Sequence, residues 1–368
     1  MRFPVNIRLI ENDGLQHWLA AILQSGRRLF VPKAAHGLTF YREATTTDEV
    51  KLLVAAEDLR PAKPYYSLKQ LLFPISEPVL QYSRRNGEVT VEDAVPADEA
   101  EVVVFGATPC DAAAVRVLDQ VFLAPEADPF YAHRRARTVI IGLSCTHAQP
   151  ECFCTAVGLS PTSSEGCDLL FTPIGVESRT TEVVATNGKF LVEIFTPAGE
   201  SLINLAEGCW KEPQDEKQAE VLLKQRDSVR DRVESEMIYK HRFTDAVERL
   251  RADFESPEWE GITRKCLGCG VCSFVCPTCH CFDLTDEYNL NAGCRYKNWD
   301  SCCFAQFTLH ASGHNPRPTE KERYRQRVMH KFCYFPETTG MPMCVGCGRC
   351  TKFCPVGMDI AEVRCRWQ

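Results

Sequence analysis

Cysteine is absent from the first 109 of the 368 residues, so any thiolate-bound group must be held by the remainder of the chain. Long apolar runs are absent too. The opening stretch "MRFPVNIRLIENDG" has none, and no later stretch approaches the length of a spanning helix. The expectation is a cytoplasmic chain with no transmembrane segment, whose thiols stay reduced. Positive charge is not in excess: the formal net charge is -7, which argues against a nucleic-acid partner. No G-x-G-x-x-G run opens a helix after a strand, so no pyridine-nucleotide site is read here. The balance of 45% hydrophobic and 25% charged residues is ordinary for two or three packed domains.

What the chain has instead is 21 cysteines, an odd number, most of them in short clusters. In a reducing compartment that pattern points to metal ligation rather than disulfides. Six lie between residues 110 and 209 and fifteen between 266 and 365. The division expected is an α/β domain over 1–210, a helical connector over 211–255 and a metal-dense domain over 256–368. "LQHWLAAILQ" has helical periodicity, "RRLFVPKA" reads as a strand, "ATTTDEVKL" carries a capping signature and "SLKQLLF" reads as a short helix ending at Pro74. "EVVVFGATPCDAAAVRVLDQVF" reads as a buried strand, a turn and a helix with Asp111 at its N-cap. With the apolar strand in "ARTVIIGLSC" it suggests a βαβ unit, whose strand ends form the usual crevice. "CDLLFTPIG", "TTEVVATN" and "KFLVEIFTPAG" are further strand candidates. The charged stretch after residue 211 reads as a solvated helix.

Cys266, Cys269, Cys272 and Cys276 form C-x2-C-x2-C-x3-C, closed by Pro277. Cys344, Cys347, Cys350 and Cys354, closed by Pro355, repeat it. This is the bacterial run that binds [4Fe–4S] clusters. Three cysteines two residues apart lie on a loop that wraps one face of a cube. Gly268, Gly270, Gly346 and Gly348 permit the wrap and let backbone N–H groups face the sulfides. The fourth cysteine lies past the loop and, in two-cluster ferredoxins, ligates the other cluster. The expected sets are Cys266, Cys269, Cys272 and Cys354 for cluster 1, and Cys344, Cys347, Cys350 and Cys276 for cluster 2. Zinc, and with it a zinc-stabilised scaffold, is the weaker alternative, because zinc sites usually take two separated pairs.

The spacer between the motifs is long. "WDSCCFAQFTLHASGHNPRP" and "TEKERYRQRVMHKF" both read as helices, favouring a C-terminal α-helical ferredoxin-like domain with two [4Fe–4S] clusters. Cys279 and Cys281 read as packing beside a cluster, as do Cys302 and Cys303, adjacent on the first of those helices. His310, His314 and His330, with Arg317, Arg323, Arg325 and Arg327, read as a solvated helix face. The alternative is positive charge placed to raise cluster potential and to dock an acidic partner. In the N-terminal part, Cys110 and Cys145 each follow an apolar strand, and "CTHAQPECFC" brings Cys152 and Cys154 close in sequence. If the strands are parallel neighbours, Cys110, Cys145, Cys152 and Cys154 form a candidate third cluster site, with Cys167 as a substitute. Buried structural thiols are the alternative.

"WDSCCFAQFTLHASGHNPRPTEKERYRQRVMHKF", "MCVGCGRCTKFCPVGMDI", "CPTCHCFDL", "GATPCDAAAV" and "SLKQLLFPISE" together resemble the family of sulfhydrogenase β subunits and A subunits of anaerobic sulfite reductase. The resemblance covers nearly the whole chain. It implies a non-catalytic electron-transfer subunit of an oxidoreductase complex. Such a subunit relays single electrons between a flavin- and NAD(P)-binding partner and a catalytic redox subunit, of the [NiFe] hydrogenase or sulfite reductase type. No paired C-x-x-C motifs at opposite ends of this chain mark a [NiFe] centre of its own. The alternative is a subunit that binds FAD itself and has a substrate site in its N-terminal domain, although no flavin-specific residue is apparent.

Overall fold

The computed structural model describes residues 6–55, 63–94, 99–175, 188–239, 243 and 246–366. Its strands are β1 (Asn6–Glu11), β2 (Arg28–Ala35), β3 (Leu38–Ala44), β4 (Ser76–Arg85), β5 (Glu88–Asp93), β6 (Val102–Ala107), β7 (Thr138–Leu143), β8 (Leu169–Ile174), β9 (Lys189–Ile194), β10 (Phe282–Tyr288) and β11 (Ala292–Trp299). The candidate strand over 180–187 lies outside the described residues.

Seven strands form one mixed sheet in the order β1-β9-β8-β7-β6-β2-β3. The centre is parallel, β2 to β6 to β7 to β8, and both margins are antiparallel. The apolar runs of β6, β7 and β8 follow from this position, because a parallel centre is covered on both faces. Alternation then sorts the side chains. Val103, Phe105, Ile141 and Phe171 pack with Trp18, Leu19 and Ile22 of the helix Asn12–Gln24 on one face. Val104, Ile140 and Leu170 pack on the other face with Leu118 of the helix Pro109–Phe122, and with Phe73 and Trp299. Two helices, Pro109–Phe122 and Pro129–Ala136, cross between the parallel neighbours β6 and β7, which makes the expected βαβ unit. Asp111 is not the N-cap of the first of these. Thr108 caps the helix, Pro109 opens it, and Asp111 sits one turn in, buried. Proline suits the first helical position because its missing N–H has no partner there anyway.

The second sheet, β10-β11-β4-β5, is antiparallel throughout. It joins distant stretches: β11, from between the two cysteine motifs, pairs with β4 from Asn298 opposite Ser76 to Ala292 opposite Ser83. The hairpin of β10 and β11 was not expected. Nor is 300–318 helical; this stretch, with Cys302 and Cys303, is made of turns, and Trp299 before it ends β11. Its sequence has Asp300-Ser301, Ser312-Gly313 and Asn315-Pro316, all residues that favour turns over helix interiors. The second predicted helix is present, Glu320–Met329 with Glu322 accepting the Thr319 N–H at 2.9 Å, and it runs on through a π-turn over His330–Tyr334.

In the connector the helix Glu216–Glu236 starts at Asp215, whose carboxylate accepts the Gln218 N–H. It is only partly solvated: Ala219, Leu222, Val229 and Val233 are buried, the last with Cys154 and Met237. A C-terminal core of Trp259, Tyr324, Val328, Phe332, Ile360 and Val363 takes in Phe153 and Ala156 from the N-terminal half. Among the described residues no helix is long and apolar enough to cross a membrane.

Candidate iron–sulfur centres

The two cysteine motifs fold alike. In each, the glycine after the second cysteine (Gly270, Gly348) is left-handed at φ 74° and 73° and starts a four-residue helix, Val271–Phe274 or Arg349–Lys352. These two short helices pack on each other. The Gly268 N–H points to Cys266 Sγ at 3.5 Å, and the Gly346 N–H bonds the Cys344 sulfur. Cys354 is an electrostatic neighbour of Cys266, together with Cys269 and Cys272. Cys276 is a neighbour of both Cys344 and Cys350, and Cys347 is a neighbour of Cys350. The fourth cysteine of each run therefore lies near the other run.

Burial pushes the Cys344 and Cys350 thiols up to about 12. Cys272 rises well above the usual thiol value, through its hydrogen bond to Cys303 and then burial. Such thiols become thiolates at neutral pH only if a cationic centre takes the charge, which is what metal coordination does. A cube takes its ligands at its corners, and the sulfur-only donor set suits iron–sulfur chemistry.

The basic helix is not a solvated face. Arg323, Arg325, Arg327 and Lys331 are buried, and Arg327 and Lys331 are only 2% exposed. Arg327 reaches Cys279 Sγ at 3.1 Å and the Cys272 carbonyl at 2.8 Å. Lys331 lies 3.3 Å from Cys276 Sγ and donates to Thr278 Oγ1 and the Met343 carbonyl, each at 3.0 Å. Lys69 donates to the Cys279 carbonyl at 3.1 Å and sits over the Trp299 ring at 3.6 Å; burial lowers it to about 8. Burying a cation costs several kcal/mol unless it is compensated. Here the partners are thiols, carbonyls and a hydroxyl, so the compensating charge must come from thiolates. Sequence reasoning missed Lys69 and Lys331. The spacing of Arg323, Arg327 and Lys331, four residues apart on one helix face, was the available signal.

The N-terminal thiols also converge. Cys110 lies in the first turn of the helix after β6 and near Cys154, and Cys145 follows β7 and lies near both Cys152 and Cys154. Lys63 stands among them, with Nζ 3.0 Å from Cys152 Sγ and donating to the Cys347 carbonyl at 2.6 Å. Burial opposes its charge, but Cys152, Cys110 and Cys347 outweigh this and hold it above the ordinary lysine value. Burial raises Cys145 and Cys154. Cys167 is not part of this set: it is buried in the core on one face of the sheet with Leu170, its sulfur bonded by the Gly142 N–H. Cys209 lies apart too, beside Gly14.

The second motif is seated directly on this group. A Cβ on Gly346 would fall 2.5 Å from Cys154 Cα, and one on Gly348 would fall 2.2 Å from the Glu151 carbonyl oxygen; both glycines are left-handed. Only glycine lets the two backbones approach this closely. The Phe153 N–H donates to the Gly346 carbonyl at 2.9 Å. Behind them Arg349 grips Asp111 with two bonds of 2.6 and 2.7 Å, both residues fully buried. Arg349 Nε donates to the Pro64 carbonyl at 2.7 Å, and the Tyr41 hydroxyl donates to Asp111 at 3.1 Å.

Residues 265–358 match the family model for a 4Fe-4S dicluster domain. Over 337 residues the chain is 28% identical to Sulfhydrogenase 2 subunit beta of Pyrococcus furiosus, and the match covers 91% of each protein. The similarity thus extends well beyond the cluster motifs, as the resemblance in the sequence implied.

Proposed function

We propose that the chain is an electron-transfer subunit of a redox complex, passing single electrons between a flavin- and NAD(P)-binding partner and a catalytic subunit. The 4Fe-4S dicluster domain and the whole-chain likeness to a hydrogenase β subunit support the iron–sulfur role. In this reading Cys266, Cys269, Cys272 and Cys354 hold one [4Fe–4S] cluster, and Cys344, Cys347, Cys350 and Cys276 a second. Cys110, Cys145, Cys152 and Cys154 hold a third. Each such cluster supplies one-electron storage at a potential tuned by nearby charge. The protein's part is to hold the sulfurs, exclude water and place Lys63, Arg327 and Lys331 against them.

One observation carries the relay: Lys63 bridges Cys152 and Cys347, so the N-terminal thiols and the second motif share one buried cation. The division into 1–210, 211–255 and 256–368 belongs to this reading, tied together by the shared β4–β11 sheet. A cytoplasmic setting suits so many free thiols.

The test is iron and acid-labile sulfide per chain, on protein purified without oxygen. The three sets require at least about twelve irons, four per cluster. Cys152→Ala with Cys154→Ala should lose about four of them and keep the spectra of the C-terminal pair. Retention of all iron in that variant refutes the third site. Zinc in place of iron refutes the electron-transfer reading.

A further inference from the structure

Four cysteines of the C-terminal half are assigned to none of these clusters and yet lie together. Cys279 and Cys281 lead into β10, and Cys302 and Cys303 follow β11, so the two ends of the hairpin meet. The Asp300 N–H donates to the Cys281 carbonyl at 2.9 Å, which closes that end. The Cys302 thiol lies beside both Cys281 and Cys303. Cys303 Sγ lies 3.8 Å from Cys272 Sγ. Cys279, Cys302 and Cys303 are buried and Cys281 is partly exposed.

A buried cation that faces the motif cysteines also reaches this group. The Arg327 guanidinium, 2% exposed, extends into this group and touches Cys279 Sγ at 3.1 Å. Its charge acts on the Cys279, Cys281, Cys302 and Cys303 thiols alike. Lys69 donates to the Cys279 carbonyl at 3.1 Å. Both cations also face thiols of the motif clusters, and a thiolate-ligated cluster here, which carries net negative charge, would add compensating charge at Cys279.

We propose that Cys279, Cys281, Cys302 and Cys303 ligate an additional iron–sulfur cluster, beside the first motif and at the base of the exposed β10–β11 hairpin. It adjoins Cys272 through Cys303 and Cys276 through Cys279, which puts it beside both motif clusters.

The experiment compares iron, sulfide and EPR of the full chain, purified without oxygen, with the variant Cys281→Ser and Cys302→Ser. The expected result is a loss of about four irons and matching sulfide. This loss is separate from, and additive with, that of the Cys152→Ala and Cys154→Ala variant, so failure of this site and failure of the N-terminal site are read independently. Unchanged iron in the folded double variant overturns the proposal. If the double variant does not fold, Cys281→Ser alone reads the same site, because Cys281 is partly exposed and tolerates a hydroxyl. A fall in iron or a changed EPR signal in that single variant supports the cluster. Unchanged iron with an unchanged spectrum overturns it.

Discussion

Replacing Asp111 by alanine removes the carboxylate that anchors the second cysteine motif to the α/β sheet. Arg349 and Asp111 are both 0% exposed, and their two bonds of 2.6 and 2.7 Å leave no room for water to substitute. The variant strands a guanidinium inside the protein with one remaining bond, to the Pro64 carbonyl, and takes away the acceptor of the Tyr41 hydroxyl. Removing one partner of a buried pair typically costs about 3–5 kcal/mol, far more than the pair itself contributes over an apolar replacement. Arg349→Met should cost a similar amount through the unpaired carboxylate. The double variant should then be well short of the sum, with a coupling on the order of 2–3 kcal/mol. Anaerobic guanidinium unfolding followed by far-UV circular dichroism measures all three. Because Arg349 lies between Cys347 and Cys350, and Asp111 beside Cys110, the single variants should also lose iron. A loss below about 1 kcal/mol for Asp111→Ala, or strict additivity in the cycle, would refute the account of this pair as the staple between the halves.

Gly346→Ala should disrupt the contact with Cys154, since its Cβ would meet backbone at 2.5 Å. A cost of about 2 kcal/mol or more is expected, with preferential loss of the N-terminal iron, read by denaturation and iron analysis. Arg327→Met removes a buried positive charge beside Cys272 and Cys279 and should lower the potential of the nearest cluster. The shift should be on the order of 50–100 mV, for one charge several ångströms away at an effective dielectric near 20, and redox titration by EPR measures it. His330 is held neutral, down to about 4, by burial and then by His280, Lys331, Arg317 and Arg327. Below its unfolded value of about 6.5 the unfolded chain takes up a proton that the folded chain refuses, so stability falls between pH 6.5 and 4, by at most about 3 kcal/mol. His330→Gln should flatten that part of the stability profile, and an unchanged slope would remove His330 as its source.

The elements written into local pattern were legible in advance. Apolar runs marked β6, β7 and β8, helical periodicity marked Asn12–Gln24, and the basic stretch from Thr319 read as a helix. The stretch over 300–318, expected as a helix, forms turns because its Asp300-Ser301, Ser312-Gly313 and Asn315-Pro316 pairs favour them. The hairpin of β10 and β11 escaped because its strands are mostly exposed and owe their order to β4, more than 200 residues earlier. The solvated reading of Arg323, Arg325 and Arg327 failed for a related reason: charge on a helix means surface unless something buried neutralises it, and the thiols that surround Arg327 come from other loops.

By itself, then, the sequence determined the α/β character, the doubled cysteine run and the iron–sulfur chemistry, because spacing within a loop and periodicity within a strand are local properties. Only the tertiary structure decided which thiols lie together. Lys63 between Cys152 and Cys347, Gly346 against Cys154, Arg349 on Asp111, and Cys281 beside Cys302 are all encounters between segments far apart in the chain. They depend on how the sheet, the hairpin and the basic helix pack, and no local pattern carries that information.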